Sequence, residues 1–507
     1  MNTYLGIEFG STRIKAVEIG EDFSPVSSSD YVWAAAFENG VWTYDLSKVE
    51  EGLATVLSGL KDKSNIRTVG ISGMMHGYLA FDKDWKLLAP FRTWQNMMTS
   101  DAARELSELF GFNIPQRWSI AHFYQAILNG ESHIPDVAHI TTLAGYVHHL
   151  LTGENVLGIG EASGMFPIDS RALDYDEKMV EKFDLLLKSK GINKNIRDLL
   201  PKVLSAGDDA GALTENGARY AKGLPVGLPF APPEGDAGTG MVATNAVLPG
   251  TGNVSAGTSI FSMVVLDKPL ENYYEEIDIV TTPDGKDVAM VHCNNCTRDS
   301  NEWVSIFGEV AELFGAKVPA SELYTKLYEK SLDGDADCGG VLVCNYVSGE
   351  SITHIDDGRP LVVRSPESRF NLANFFRSQL YSTMATLKIG MEILERENVR
   401  IDRLTGHGGL FKTPIVGQRY MAAACGAPIT CMKTAGEGGP YGMALLAAYR
   451  AMKKDGETLP AFLSERVFGA AEGTTLAPTE EDVKGYTEYI AAYRKMLEIE
   501  KKAVEMI

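Results

Sequence analysis

Near its start the chain reads GIEFGSTRIKAVEIG (6–20), which sets Glu8, Gly10, Ser11 and Thr12 close together. The β-rich segments on either side predict a hairpin with Gly10-Ser11-Thr12 at its tip. A tight turn of small residues aims backbone N–H groups into one concavity, and such a nest binds phosphate oxygens without much positive charge. NVSAGTSIF (253–261) repeats the device with Gly257, Thr258 and Ser259 between two strands. Singly, either is an ordinary hairpin, because Gly-Ser/Thr turns are common. As a matched pair facing each other across a cleft, they would hold a polyphosphate.

Three further stretches carry chemistry. In PPEGDAGTG (232–240), Asp236 stands between glycines. A carboxylate there can take a proton from a hydroxyl during phosphoryl transfer. It can also cap a following helix, and one residue can do both. GHGGLFK (406–412) supplies Gly408, Gly409 and Lys412 at a predicted strand-to-helix turn. Such a turn permits close backbone approach and presents a helix N-terminus to an adenosine or an α-phosphate. Neither G-x-G-x-x-G nor G-x-x-x-x-G-K-[ST] occurs in the required form, so a simple Rossmann dehydrogenase or P-loop enzyme is not supported. SGMMHG (72–77) and FRTWQN (91–96) place Met75, His76, Trp94 and Asn96 in polar-aromatic loops. That mixture suits a sugar, which needs a flat apolar face and fixed donors and acceptors. A lone core Trp or structural His is the plainer reading of each.

The elements that must position these residues alternate strands and helices. NIRTVGISGM (65–74) reads as a buried strand, and 144–153 and 176–189 as helices. In the second half, 371–399, 415–426 (capped by Gly426), 439–452 and 480–507 read as helices and 401–409 as a short strand. This pattern indicates an α/β or mixed-sheet fold. The Gly/Pro-rich stretch 223–253 is the best domain boundary, and the two similar hairpins about half a chain apart hint at two homologous halves, 1–245 and 246–507.

Composition narrows the class. With 507 residues, two domains are expected. The net charge of −20 argues against nucleic acid or an anionic membrane as a general partner. No secretory start and no membrane-length apolar run is visible, and six cysteines give no disulfide framework, so a reducing cytoplasm is expected. Cys293 and Cys296 form one C-x-x-C with no second pair, which favours buried or incidental thiols over zinc. No G-x-S-x-G elbow or H-E-x-x-H pair supports a hydrolase.

With these motifs in this order, from Tyr4 to about Arg450, the chain resembles the FGGY family of carbohydrate kinases, within the superfamily of actin and the hexokinases. The matching stretches are GIEFGSTRIKAV, EGDAGTG, NVSAGTSIF, GHGGLFKTPIVGQRYMAAACGAPI and GEGGPYGMALLAAY. The resemblance implies two ribonuclease-H-like, actin-like ATPase domains around a central cleft. Sugar would lie mainly on the first and ATP mainly on the second. Asp236 would be the general base. Glu8 and Asp236 would hold Mg²⁺, and Gly10, Ser11, Thr12, Gly257, Thr258, Gly408, Gly409 and Lys412 would face the nucleotide. Met75-His76 looks like the Met-His pair of xylulokinases, with Trp94 and Asn96 as further sugar contacts. The expected substrate is a pentulose such as xylulose or ribulose; glycerol, erythritol, gluconate and deoxyhexuloses are the family's other substrates. A homodimer is a family-level expectation. One position departs from the pattern: Glu8 stands where the family usually carries Asp, longer by one C–C bond, roughly 1.5 Å. That substitution motivates the alternative of a sugar sensor with weakened catalysis, which retention of Asp236 opposes.

Overall fold

The computed structural model describes residues 2–432, 438–469 and 473–507. Contacts divide the chain into two units. The first comprises Met1–Leu248, Asn272–Ala289 and Glu437–Ala471, and the second Pro249–Glu271, Met290–Gly436 and Glu472–Ile507. Within the later part of the first unit, residues 438–469 are the described ones.

The first unit is built on a sheet of β1 (Thr3–Phe9), β2 (Arg13–Ile19), β3 (Pro25–Val32), β4 (Ile66–Gly73) and β5 (Glu234–Gly235), in the order β5-β4-β1-β2-β3. β1 and β2 form the expected antiparallel hairpin, with Phe9 opposite Ile14 at its end. β4 runs parallel to β1, and β5 parallel to β4. The register aligns Glu8 with Ser72 and Ser72 with Glu234, so the carboxyl ends of three parallel strands lie side by side. Open α/β sheets bind ligands at that edge. One face of the sheet buries Leu5, Ile7, Phe9, Val69 and Ile71 against Leu53, Val56, Leu143 and Val147. The helix Gly438–Met452 packs close to the sheet because β1 and β4 present glycines. A Cβ at Gly6 would lie 2.2 Å from the Pro440 carbonyl oxygen, and one at Gly70 2.3 Å from Met443 Cε.

The second unit repeats the opening device. β6 (Thr251–Ala256) and β7 (Ile260–Val265) form an antiparallel hairpin, and β8 (Arg403–His407) pairs parallel to β6, with His407 opposite Ser255. β9 (Ile429–Met432) and β10 (Gly473–Leu476) extend this sheet in the order β7-β6-β8-β9-β10. The helix Leu372–Arg396 is buried along most of its length. Val416–Cys425 ends at Gly426 with φ 64°, the left-handed cap expected from the sequence. The last helix, Glu480–Met506, is anchored by Asp482, which receives Arg377 at 2.8 Å and Arg419 at 2.6 Å. All six cysteines are unpaired. Among the described residues, no helix is long and apolar enough to cross a membrane.

Candidate active site

In the first unit, Asp236, Met75 and Glu8 lie at or just beyond the carboxyl ends of β5, β4 and β1. Asp236 is the first residue of the helix Asp236–Ala243, whose N-cap is Gly235. It therefore sits in the first helical turn, where the helix dipole favours a negative charge. Its Oδ1 accepts from the Met75 N–H at 3.1 Å and from the Ala237 N–H at 3.0 Å. Burial pushes its carboxyl above the usual aspartate range, while these two N–H groups pull it back. The result is a carboxylate more basic than ordinary, held by backbone donors from the turn after β4 and from its own helix.

Met75 and His76 stand in the turn after β4. His76 has φ 72°, a left-handed conformation uncommon for a residue with a Cβ, and Gly77 follows at 88°. The strained turn is held by contacts on every side. His76 Nδ1 lies 3.1 Å from the Gly164 carbonyl oxygen, the Ser119 hydroxyl donates to Gly77 O at 2.5 Å, and the His76 ring stacks on Trp118 with centroids 6.2 Å apart. Backbone strain of this sort persists where surrounding structure over-determines it, most often at functional sites.

Glu8 comes near Asp236. Burial first, and the Asp236 charge second, push its carboxyl up to about 8, with Lys15 opposing. Its Oε2 is buried and has no hydrogen-bond partner among the described residues. Gly439, at the start of the helix Gly438–Met452, makes room for the side chain: a Cβ there would lie 1.6 Å from that oxygen. Two carboxyls were missed in the sequence. Glu234, one residue before Gly235, accepts from the Glu161 N–H at 2.9 Å, and burial lifts it to about 8. Glu161 is fully buried against Gly235 and pushed well above the usual range, chiefly by burial. Glu234 was adjacent to a motif already singled out. Glu161 had no local signal, since it is brought in by another turn of the chain.

Mg²⁺ takes hard oxygen ligands in octahedral geometry and commonly uses one or two carboxylates, with phosphate oxygens and water for the rest. Glu8, with a buried unpaired oxygen, and Asp236 fit such a partial ligand set. Among the described residues no group of three or more His, Cys, Asp or Glu is arranged to hold a metal alone, so the remaining ligands would come from elsewhere.

Trp94 is 37% exposed, and its Nε1 donates to the Ser11 hydroxyl at 3.3 Å, so it stands beside the first hairpin tip. Asn96 departs from expectation. It is 3% exposed and its amide is engaged by backbone: Oδ1 accepts from Trp42 N at 2.8 Å, and Nδ2 donates to Trp42 O at 2.8 Å and Thr93 O at 3.0 Å. Both amide hydrogens are used, so Asn96 is a clamp between two loops rather than a sugar contact.

In the second unit the register of β6 and β8 brings Gly257-Thr258 and Gly408-Gly409 to the same sheet edge. Gly408 has φ 101°, and a Cβ there would lie 2.4 Å from the Ala256 carbonyl oxygen. Lys412 is exposed just beyond the 3-10 turn Gly409–Phe411. Ile415, β-branched, holds φ 71° where the helix Val416–Cys425 begins. In the C-x-x-C segment, Cys293 and Cys296 are buried thiols, and the Cys296 N–H donates to Thr258 O at 3.0 Å. Of the later glycine motif, 433–437 lie outside the described residues, including Gly436 and Glu437.

A buried carboxylate at a strand-to-helix turn, with Gly-Ser/Thr hairpin tips on two similar sheets, supplies the kinds of group that phosphoryl transfer to a hydroxyl needs. Residues 3–243 match the N-terminal domain, and residues 252–451 the C-terminal domain, of the FGGY family of carbohydrate kinases. The chain belongs to that family and is a carbohydrate kinase with the two-domain FGGY fold; the family's enzymes use ATP. A xylulose kinase of Haemophilus influenzae is 20% identical over 504 residues, which cover 95% of this chain and 97% of that protein. Among solved structures, a ligand-bound xylulose kinase from Lactobacillus acidophilus superposes with a TM-score of 0.81 at 15% identity, covering 98% of each chain. A gluconate kinase from the same organism gives 0.80 at 16% identity, also covering 98% of each. These likenesses carry the fold; kinases named for different sugars share it equally.

Proposed function

We propose that this kinase phosphorylates a pentulose, xylulose or ribulose, at its terminal hydroxyl, with Asp236 as general base. The observation that carries the reading is the hydrogen bond from the Met75 N–H to Asp236, 3.1 Å long. It locks the loop expected to contact sugar onto the expected base. Met75, His76 and the half-exposed Trp94 offer the acceptor a thioether, an imidazole and an indole. The xylulose kinase named above, matched along nearly the whole chain, supports the pentulose assignment.

The reaction follows from these groups. Asp236 accepts the proton of the sugar hydroxyl as its oxygen attacks the γ-phosphorus of ATP. The bond from that phosphorus to the β,γ-bridging oxygen breaks, and ADP leaves. Gly10, Ser11 and Thr12, with Gly257, Thr258, Gly408, Gly409 and Lys412, are assigned to the nucleotide. Glu8 and Asp236 are assigned to Mg²⁺, which when bound offsets phosphate charge in a protein of net charge −20. Glu8 holds a buried oxygen, unpartnered among the described residues, beside Gly439 and near the Asp236 charge, which supports a metal site over the sensor alternative.

The test is ADP release from Mg-ATP across xylulose, ribulose, other ketoses and polyols, with Asp236→Ala as control. Strong stimulation by one pentulose, lost in the variant, is expected. Stimulation only by glycerol, gluconate or another polyol would overturn the substrate assignment. ATP binding with no stimulation by any sugar would replace the reading with the sensor.

A further inference from the structure

Three consecutive carbonyl groups at the first hairpin tip are bonded from behind. Gly10 O accepts from Trp33 Nε1 at 2.7 Å, Ser11 O from the Tyr44 hydroxyl at 2.6 Å, and Thr12 O from the Trp33 N–H at 3.2 Å. A trans peptide is planar, and its C=O and N–H point in opposite directions. Turning the Gly10 carbonyl toward Trp33 therefore aims the Ser11 N–H the other way, and the Ser11 carbonyl does the same for the Thr12 N–H. Among the described residues neither N–H has an acceptor.

The second tip uses the same construction with unrelated residues. Gly257 O accepts from both the N–H and the hydroxyl of Thr297, at 3.1 and 2.8 Å, and Thr258 O accepts from Cys296 N at 3.0 Å. Two sheets thus arrive independently at turns whose carbonyls are occupied. That recurrence separates the arrangement from incidental packing.

We infer that Tyr44 and Trp33 in the first unit, and Thr297 in the second, are positioning residues that fix the tip peptide planes so that their N–H groups receive the nucleotide's phosphates. The inference rests on the kinase reading for the identity of the anion. Trp33 and Tyr44 are also core residues, 6% and 4% exposed, with rings 4.5 Å apart. The substitution that distinguishes the roles must keep the ring and remove the bond, which Tyr44→Phe does. Thr297→Val likewise keeps the shape and the backbone donor and removes the hydroxyl.

The experiment measures affinity of the full-length protein for ATP, ADP and adenosine by calorimetry, with melting temperature alongside. Tyr44→Phe and Thr297→Val are each expected to weaken ATP and ADP by about five- to tenfold, the worth of roughly one hydrogen bond. Adenosine affinity should stay unchanged, because it lacks the phosphates that the tips are inferred to receive. Equal weakening of adenosine and ATP, or no weakening of either, would overturn the inference and leave the rings as packing. Should one variant not fold, the other carries the same test on its own tip. The two readings fail separately. A wild-type protein that no sugar stimulates refutes the substrate assignment, while an unchanged ATP-to-adenosine ratio in the variants of an active enzyme refutes the positioning role.

Discussion

At the scale of single residues, the site is a set of carboxyls that resist ionisation, each for a local reason. Asp236 is burdened by burial and relieved by two N–H donors. Replacing it with Asn preserves the shape and should cut kcat by about 10²–10⁴-fold while ATP affinity stays within a few-fold, read by steady-state kinetics and calorimetry. Glu8 and Gly439 are sterically interlocked. Gly439→Ala should lower melting temperature and activity in the wild type. In a Glu8→Asp background, where the carboxylate withdraws, the same change should cost less, and a double-mutant cycle would show the coupling. Glu350 offers a pH test in the second unit. Its Oε2 accepts from Asn294 N at 2.9 Å and Asn295 N at 3.2 Å, just ahead of the residues that bond the second tip. Burial lifts it from 4.5 to about 7. Between those values the unfolded chain gives up the proton and the folded one keeps it. Its contribution to stability is therefore full below 4.5 and falls as pH rises toward 7, by about 1.4 kcal/mol per unit. Glu350→Gln lacks this loss, so its melting temperature relative to wild type should climb between about pH 5 and pH 7.5. What could be read at this scale from sequence was local. Asp236, the Met75-His76 pair and both tips announced themselves by their immediate neighbours. Trp33, Tyr44 and Glu161 act on those residues through contacts that no short window contains. Asn96 misled because composition suggests a polar contact without saying that backbone already occupies it.

At the scale of elements, close approach is the recurring device. The helix Gly438–Met452 meets the sheet at Gly6 and Gly70, and meets the helix Asp236–Ala243 at Gly442, where a Cβ would lie 1.9 Å from the Thr239 carbonyl oxygen. Thr239 Oγ1 in turn lies 3.3 Å from Ser72 Oγ on β4. The helix that begins with Asp236 is thus wedged between a strand and a helix that leave it no slack. Gly442→Ala should destabilise the protein by about 1–3 kcal/mol through overpacking, measured by denaturant unfolding, and should lower kcat beyond what the stability loss alone would cause. Both hairpins and the long helices were legible because periodicity and turn residues specify them within a few positions. The wedge was not, since a glycine in GPYGMALL reads only as a poor helix former until its partner helix is known.

At the scale of the whole molecule, the chain returns to its first unit late, with residues 438–469, and to its second with β10 (Gly473–Leu476) and then the last helix, Glu480–Met506. That last helix is secured by Asp482, 1% exposed at its side chain, between Arg377 and Arg419. A buried charge that loses its partner is costly, so Asp482→Asn should remove about 3–5 kcal/mol of stability and loosen Glu480–Met506, visible as faster amide exchange along that helix. The order of motifs was legible from Tyr4 to about Arg450, which is why the family was readable where its parts were weak singly. The late returns depend on which surfaces pack, and chain order does not carry that. The Trp94 indole, meanwhile, has one edge in solvent and its N–H on the Ser11 hydroxyl. Such a ring is a ready optical probe: its emission should shift when a ligand displaces water from it, so subtracting the spectrum of Trp94→Phe from that of the wild type would follow occupancy of the site in real time, with no label attached.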